Sequence, residues 1–232
     1  MNLDRGLAVA GVLLGLPAFL LLFLSGQQTT AILVLVLAFV LLASAFAVKY
    51  LTGLPPLTMK SVDVVLQFND GQGKNALLSK HYQIRATRND VREMTHRNIA
   101  SDGGISNICW NDQLIPAADI KRILGQYEVT VRFALAPRKW KTTAGKLSYN
   151  LTDSFNGNPE GLMYVVDFPA RLVRFRIELP GGRRCLNATA YKLEGAGRKP
   201  ISDPSVSDDR RVLLLAVKKP PTGSEYAIYW TW

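Results

Sequence analysis

The hydrophobic pattern of the chain changes near residue 50, and the part before that point contains two long apolar runs. Leu7–Leu24 and Ala31–Val48 each extend over 18 residues without a charged side chain. A helix of this length is about 27 Å long at 1.5 Å of rise per residue, which is close to the thickness of the hydrocarbon core of a bilayer. The pattern therefore predicts a transmembrane helical hairpin over residues 1–50, with spans at 7–24 and 31–48.

Charges flanking the two runs predict the orientation of this hairpin. Arg5 precedes the first run and Lys49 follows the second, whereas the six residues between the runs include no lysine or arginine. Basic residues favour the cytoplasmic side, so a multi-pass protein of the inner (plasma) membrane with both termini in the cytoplasm is expected. Gly11 and Gly15 form a G-x-x-x-G step that allows close helix packing, which predicts homo-oligomers formed through the transmembrane helices.

Beyond residue 50 the hydrophobic period changes from 3.6 to 2, which is typical of β-strands. Residues 51–58 contain two prolines and a glycine and predict a short stiff linker. The alternating runs that follow are separated by Gly, Pro and Asn turns, so residues 59–232 are predicted to form a cytoplasmic β-rich domain, an antiparallel β-sandwich or β-barrel. Asp90–Asn98, which is short and charged, and Ala117–Leu124, which ends before Gly125, are predicted as short helices. The predicted fold class is a membrane-anchored all-β protein.

The final run of the chain is aromatic on one face. Tyr226, Ile228, Trp230 and Trp232 occupy alternate positions up to the last residue. An aromatic face of this size is rarely left in water. The pattern therefore predicts that the last strand belongs to the hydrophobic core.

The charge balance indicates an anionic partner. Lysine and arginine outnumber aspartate and glutamate by 28 to 18, which gives a formal net charge of +10. Apart from Asp4 and Arg5, every charged residue lies from Lys49 onward, so the excess belongs to the β-rich domain. Two partners fit this balance: the headgroups of the lipid bilayer, or an anionic ligand. No nucleic-acid polymer is expected.

Motifs of catalysis are missing from the sequence. It contains no nucleophile elbow, no Walker loop, no dinucleotide fingerprint and no H-E-x-x-H. Cys109 and Cys185 do not form metal-binding spacing, and nothing in their spacing to His81 or His96 supports a catalytic dyad. The sequence therefore predicts a protein that is not an enzyme, with no catalytic residue, no metal site and no cofactor.

One basic cluster surrounds a tryptophan and is the best candidate for binding. Trp140 lies among three cations directly after Pro137, and a ring among cations suits a nucleobase and its phosphates. The same composition also suits a loop that rests on a membrane surface, or an ordinary surface loop. The predicted ligand-binding residues are Arg138, Lys139, Trp140, Lys141, Tyr82, Arg85 and Arg88.

The plan of two apolar runs followed by one β-rich domain resembles a known family. Leu7–Leu24, Ala31–Val48 and the strands from Val62 to Trp232 resemble the two-transmembrane, β-strand-rich effectors of bacterial anti-phage cyclic-nucleotide signalling, the STING-like β-barrel effector family. The resemblance implies that a cyclic nucleotide binds the β domain and changes the association of the transmembrane helices, which then disrupt the inner membrane. The alternative is a non-enzymatic, membrane-anchored scaffold or interaction domain that recruits a protein partner or lies on the leaflet.

Overall fold

The computed structural model describes residues 32, 36–45, 53–195 and 197–232. The chain divides into two compact units, Met1–Leu54 and Pro55–Trp232. In the first unit, residues 36–45 are helical and leave most of their large apolar side chains exposed.

The predicted transmembrane hairpin is corrected by this structure. None of the described residues belongs to a helix that is both long enough and apolar enough to cross a membrane. The prediction of a membrane-anchored fold and of a multi-pass inner-membrane location is therefore wrong. The span 7–24, with Gly11 and Gly15, and residues 31, 33–35 and 46–48 of the second predicted span lie outside the described residues.

The second unit is built almost entirely from β-strands, as predicted. Its described part also contains one short 3-10 helix, Ala117–Asp119. The strands are β1 (Leu57–Phe68), β2 (Ala76–Ala86), β3 (Glu93–Ile99), β4 (Gly104–Trp110), β5 (Gln113–Leu114), β6 (Ile120–Ile123), β7 (Gln126–Arg132), β8 (Thr142–Thr152), β9 (Glu160–Val165), β10 (Leu172–Glu178), β11 (Asn187–Glu194), β12 (Gly197–Pro200), β13 (Ser205–Val206), β14 (Val212–Lys218) and β15 (Glu225–Thr231).

These strands form three sheets in two layers. The large sheet has eight strands in the order β13-β14-β10-β1-β2-β8-β4-β5. The other layer consists of a four-stranded sheet, β12-β11-β15-β9, and a three-stranded sheet, β3-β7-β6. Aromatic contacts join the layers: Tyr164 of β9 packs edge-on against Phe175 of β10, with ring centroids 5.6 Å apart, and His96 of β3 lies 5.1 Å from Tyr82 of β2. The core therefore fills the space between the large sheet and the two smaller sheets.

Alternation decides which side chains enter this core. Along β2, even-numbered residues are buried, and most odd-numbered residues face away from the core and keep more exposure. The aromatic C-terminal strand behaves as its pattern predicts, because β15 is the second strand of the four-stranded sheet from its β9 edge and Trp230 is 1% exposed. Successive side chains of a strand point to opposite faces, so one register fixes the environment of every residue on it.

Three details of the predicted β-rich domain are corrected. The sheets are not purely antiparallel, because β10 pairs with β1 in parallel, with Val62 opposite Val173. The predicted helix Asp90–Asn98 is largely the strand β3, which pairs with β7 and is buried at alternate positions before its bulge. The predicted helix Ala117–Leu124 ends after a single 3-10 turn and continues as β6. In each case pairing with another strand overrides the local pattern, and the partner of β6 is β7, the next strand along the chain.

Candidate functional site

The layer opposite the large sheet is split, and the split forms a cleft. β9 is the edge strand of the four-stranded sheet and β3 is an edge strand of the three-stranded sheet. A cavity of about 750 Å³ lies along β9 and the end of β3, with residues of β2 and β8 of the large sheet at its floor. This volume is within the range of small-molecule and peptide-binding pockets, roughly 300–1,000 Å³.

A buried lysine lies at the floor of the cleft. Lys80 of β2 is 6% exposed, and its Nζ lies over the rings of Tyr149 and Tyr164, at 5.9 and 5.2 Å from their centroids. Within the described structure its Nζ makes no hydrogen bond and no carboxylate oxygen lies within 4.0 Å of it. Lysine is almost never fully buried without a paired charge. The two rings are therefore the partners of this ammonium within the described structure.

A polar network lies behind Lys80, between β2, β3 and the end of β9. The Tyr82 hydroxyl is 3.2 Å from Nδ1 of His96, and the same Nδ1 is 3.9 Å from Oδ2 of Asp167. Burial, assisted by the positive charge of Lys80, lowers the pKa of His96 to about 3, so its imidazole is neutral at pH 7. Burial raises the pKa of Asp167 to about 6, while Lys80 and the backbone N–H of Arg97 oppose the rise. At pH 7 this carboxyl is therefore mainly ionised.

Acidic side chains predominate at the rim of the cleft. Glu160 begins β9, is 6% exposed and has a buried Oε1 without a partner, and its burial raises its pKa. The rim also contains a short hydrogen bond between the hydroxyls of Ser101 and Ser154, 2.5 Å apart. The other charged residues that line the cleft are Arg97, Asp102, Asp153 and Glu225. The cleft therefore presents one buried cation at its floor beneath a mostly acidic rim.

The predicted ligand-binding residues lie elsewhere, and the structure brings three of them together. The guanidinium carbon of Arg85 is 5.0 Å from the ring centroid of Trp140, and Nζ of Lys139 is 5.6 Å from it. Backbone contacts hold this loop against the end of β2, because Trp140 N–H donates to the Ala86 carbonyl at 2.8 Å. Trp140 is 45% exposed, so we call Arg85, Lys139 and Trp140 the surface tryptophan cluster.

The remaining predicted residues do not converge on one site. Tyr82 is 3% exposed and points into the core, on the face of β2 opposite to Arg85. Arg138 and Lys141 flank the surface tryptophan cluster and are exposed, and Arg88 is exposed beyond the end of β2. Tyr82 is therefore separated from the basic loop, and the assignment of that loop as a ligand site stays a prediction.

Sequence reasoning missed the cleft residues, although one signal was present. Lys80 occupies an apolar register of β2, between Leu78 and Tyr82, where alternation calls for a core residue. A lysine in such a position indicates either that the register inferred from alternation is wrong or that the strand carries a buried charge. Tyr149, Tyr164 and Asp167 carry no comparable signal, because only the pairing of the sheets brings them to Lys80.

Comparison with known proteins adds no family. No family model and no curated protein matches the chain. Among solved structures, the chain is similar to the M1 zinc metallopeptidase from Deinococcus radiodurans, with 13% identity and a TM-score of 0.40 over 75% of this chain and 42% of that one. It is also similar to yeast LTA4 hydrolase in complex with bestatin, with 11% identity and a TM-score of 0.43 over 75% of this chain and 28% of that one.

These similarities are too weak to establish fold or function. The chain spans less than half the length of either structure. Neither the similarities nor the described residues support the predicted membrane protein of antiviral defence, and that prediction is corrected accordingly.

Proposed function

We propose that this chain is a non-enzymatic binding protein that captures an anionic ligand in the cleft, with the anion seated on Lys80. The observation that supports this proposal is the buried ammonium at the cleft floor, which has two aromatic rings but no anionic partner within ion-pair distance. An entering carboxylate or phosphate supplies the missing charge in a site of low effective dielectric, where charge-assisted hydrogen bonds contribute about 1.5–3 kcal/mol.

The surroundings of Lys80 favour an anion over other groups. The hydroxyls of Tyr149 and Tyr164 belong to the same pocket, and burial holds the pKa of Tyr164 far above its ordinary value, so this hydroxyl keeps its proton and can donate. Asp167 lies farther from Nζ than an ion pair allows, so it does not occupy the ammonium. The site therefore places the cation of Lys80 beside the neutral hydroxyl of Tyr164, below a rim that is mostly acidic.

The test is ligand-dependent thermal unfolding of the full-length chain with acetate, inorganic phosphate and cyclic di-GMP as probes. We expect at least one of these anions to raise the Tm of the wild type. Lys80→Met, which keeps the length of the side chain, should weaken the binding of that anion about ten- to hundred-fold, because one charge-assisted bond is lost. Lys218→Met removes an exposed lysine at the end of β14, outside both the cleft and the surface tryptophan cluster, and serves as the matched control, with unchanged binding.

Two results contradict the proposal. One is a panel in which no anion shifts the Tm of the wild type. The other is a shift with acetate or phosphate that Lys80→Met retains.

The surface tryptophan cluster is a second candidate site, specific to nucleotides. Its basis is the exposed ring of Trp140 beside the guanidinium of Arg85 and the ammonium of Lys139. A base can stack on such a ring while the cations neutralise phosphates. If cyclic di-GMP shifts the Tm through this cluster, Trp140→Ala abolishes the shift and Lys80→Met leaves it unchanged.

A further inference from the structure

One wall of the cleft is a strand edge with no pairing partner. In the four-stranded sheet, Val166 N–H donates to the Ser224 carbonyl and Gly223 N–H donates to the Val166 carbonyl, each at 2.9 Å. Backbone groups of an antiparallel strand alternate in direction, so residues 160, 162 and 164 point toward β15. Gly161, Met163 and Val165 then direct their N–H and C=O groups to the opposite edge. No strand of the described structure pairs with that edge, and all three residues line the cleft.

The opposite wall is an edge that bends away. β3 and β7 pair regularly up to His96 and Val129, but Arg97 and Asn98 together oppose a single residue of β7. Asn98 has a φ of 56°, and this bulge interrupts the strand. The backbone N–H of Arg97, within this bulge, faces the carboxyl of Asp167 and lowers its pKa. β3 and β9 are therefore not paired with each other, and the cleft lies between these two strands.

The length and the charges of the cleft restrict what fits beside β9. Six residues of β9 extend about 20 Å at about 3.3 Å per residue, which matches an extended segment of similar length. Lys80 lies against Tyr164, near the C-terminal end of β9, whereas Glu160 lies at its beginning. A ligand that follows the edge therefore meets an acidic group at one end and the buried cation at the other.

We propose that the cleft binds the carboxyl-terminal segment of a peptide or protein, added in extended form to the free edge of β9, with its terminal carboxylate on Lys80. The proposal rests on the binding of an anion at Lys80 that was proposed above, here called the anion seat, and it adds the class of ligand. Backbone hydrogen bonds to Gly161, Met163 and Val165 give affinity without regard to sequence, as in other cases of strand addition. Because the carboxylate lies beside Tyr164, the segment runs parallel to β9, and a lysine or arginine about four residues before the terminus lies near Glu160.

The experiment uses the immobilised full-length chain and a pool of random hexapeptides with free carboxyl termini, beside the same pool with amidated termini. We expect hexapeptides to be retained from the free-acid pool, with a basic residue enriched near the amino end. The amidated pool and the Lys80→Met variant should each retain at least about ten-fold less. No retention from either pool overturns the proposal.

Retained peptides are then synthesised with N-methyl groups at alternate residues. One N-methylated set removes the donors that face β9 and should bind about ten-fold more weakly or worse, whereas the complementary set faces away and should bind as before. Equal binding of both sets excludes strand addition.

A variant of the edge itself gives a matched pair. Met163→Pro removes an N–H from the free edge without removing a bond to β15, and edge positions tolerate proline on that side. Met163→Ala keeps the N–H. We expect Met163→Pro to lose the retained peptides while Met163→Ala keeps them, with both proteins unfolding in the same cooperative transition as the wild type.

Failure of the peptide proposal and failure of the anion seat give different results. If acetate or phosphate still raises the Tm in a Lys80-dependent manner but no peptide is retained, the anion seat stands and the strand addition is wrong. If peptides bind equally as acids and amides and Lys80→Met binds them normally, the edge of β9 binds peptides but the anion seat is wrong.

Discussion

Two cation–aromatic contacts lie five residues apart on β2, yet they face opposite sides of the large sheet. Lys80 points inward between Tyr149 and Tyr164, and Arg85 lies on the other face beneath Trp140. Lys80 is 6% exposed, whereas Trp140 keeps 45% of its surface in solvent. The chemistry of the two contacts is similar, but their environments are not.

This difference shows that the enclosure of a charge, more than its partners, determines what it can bind. An exposed cation is screened by water and salt, and its contacts are worth little. A cation held in a cleft is screened less, so a single incoming anion gains more from it. The inner contact is therefore the stronger candidate for a selective site, although the outer one is easier to recognise in the sequence.

The largest difference between the two contacts should appear when the aromatic partner is removed. Tyr164 is 5% exposed and packs on Phe175, so Tyr164→Ala should reduce the free energy of unfolding by about 3–5 kcal/mol. Trp140→Ala removes a half-exposed ring and should cost about 1 kcal/mol or less. Urea denaturation of both variants measures this, and equal losses would show that the inner ring is not part of the core.

A second, intermediate effect concerns two histidines on opposite sides of the large sheet. His96 is fully buried with a pKa of about 3, so its contribution to stability is complete above about pH 6.5 and is lost as the pH falls toward 3. Between pH 6.5 and about pH 4.5 the loss amounts to about 3 kcal/mol. His96→Gln should remove this part of the acid dependence, whereas His81→Gln, on the exposed face of β2, should not change it.

Asp167 acts in the opposite direction in the same pH range. Its pKa is raised to about 6, so the stability it contributes is present below about pH 3.8 and is lost as the pH rises through 6. Asp167 is retained in the His96→Gln protein, so its own contribution is present in both curves, apart from the coupling between the two side chains across 3.9 Å. Urea midpoints measured across the range give the difference between the curves, and parallel curves for the two proteins contradict the role assigned to His96.

The smallest effect should come from an ion pair on the outer face. Arg174 donates to both carboxylate oxygens of Asp63, at 2.5 and 2.9 Å, across the parallel pair β1 and β10. Both side chains are partly exposed, so Arg174→Met should cost only about 0.2–1 kcal/mol. The loss should diminish further in about 1 M NaCl, where the Debye length is about 3 Å. A loss of several kcal/mol that is unaffected by salt would contradict this assignment.

Periodicity located much of the strand structure but not the pairing of the strands. The predicted burial of the aromatic C-terminal strand is confirmed at Trp230, which is 1% exposed. Nothing in the pattern of β1 indicates that it pairs in parallel with β10, more than a hundred residues away. Strand alternation specifies which face is apolar, and the partner depends on interactions between segments distant in sequence.

The candidate site escaped the sequence for a related reason. His96 is a polar residue in a fully buried strand position, so β3 resembled a charged helix. Its residue type alone places Lys80 at the surface, because lysine is usually exposed. A residue type gives an average environment, whereas these two residues depart from that average because the surrounding sheets enclose them.

The sequence by itself determined that residues from about 59 onward form an all-β unit and that the aromatic face of β15 points inward, because the two-residue period of a strand is a local property. The tertiary structure alone decided that the second layer is split, that an unpaired edge of β9 borders the gap, and that a lysine ends beneath two tyrosines at its floor. These features arise where β2, β8 and β9 meet, and no single segment of the chain contains the information for that meeting.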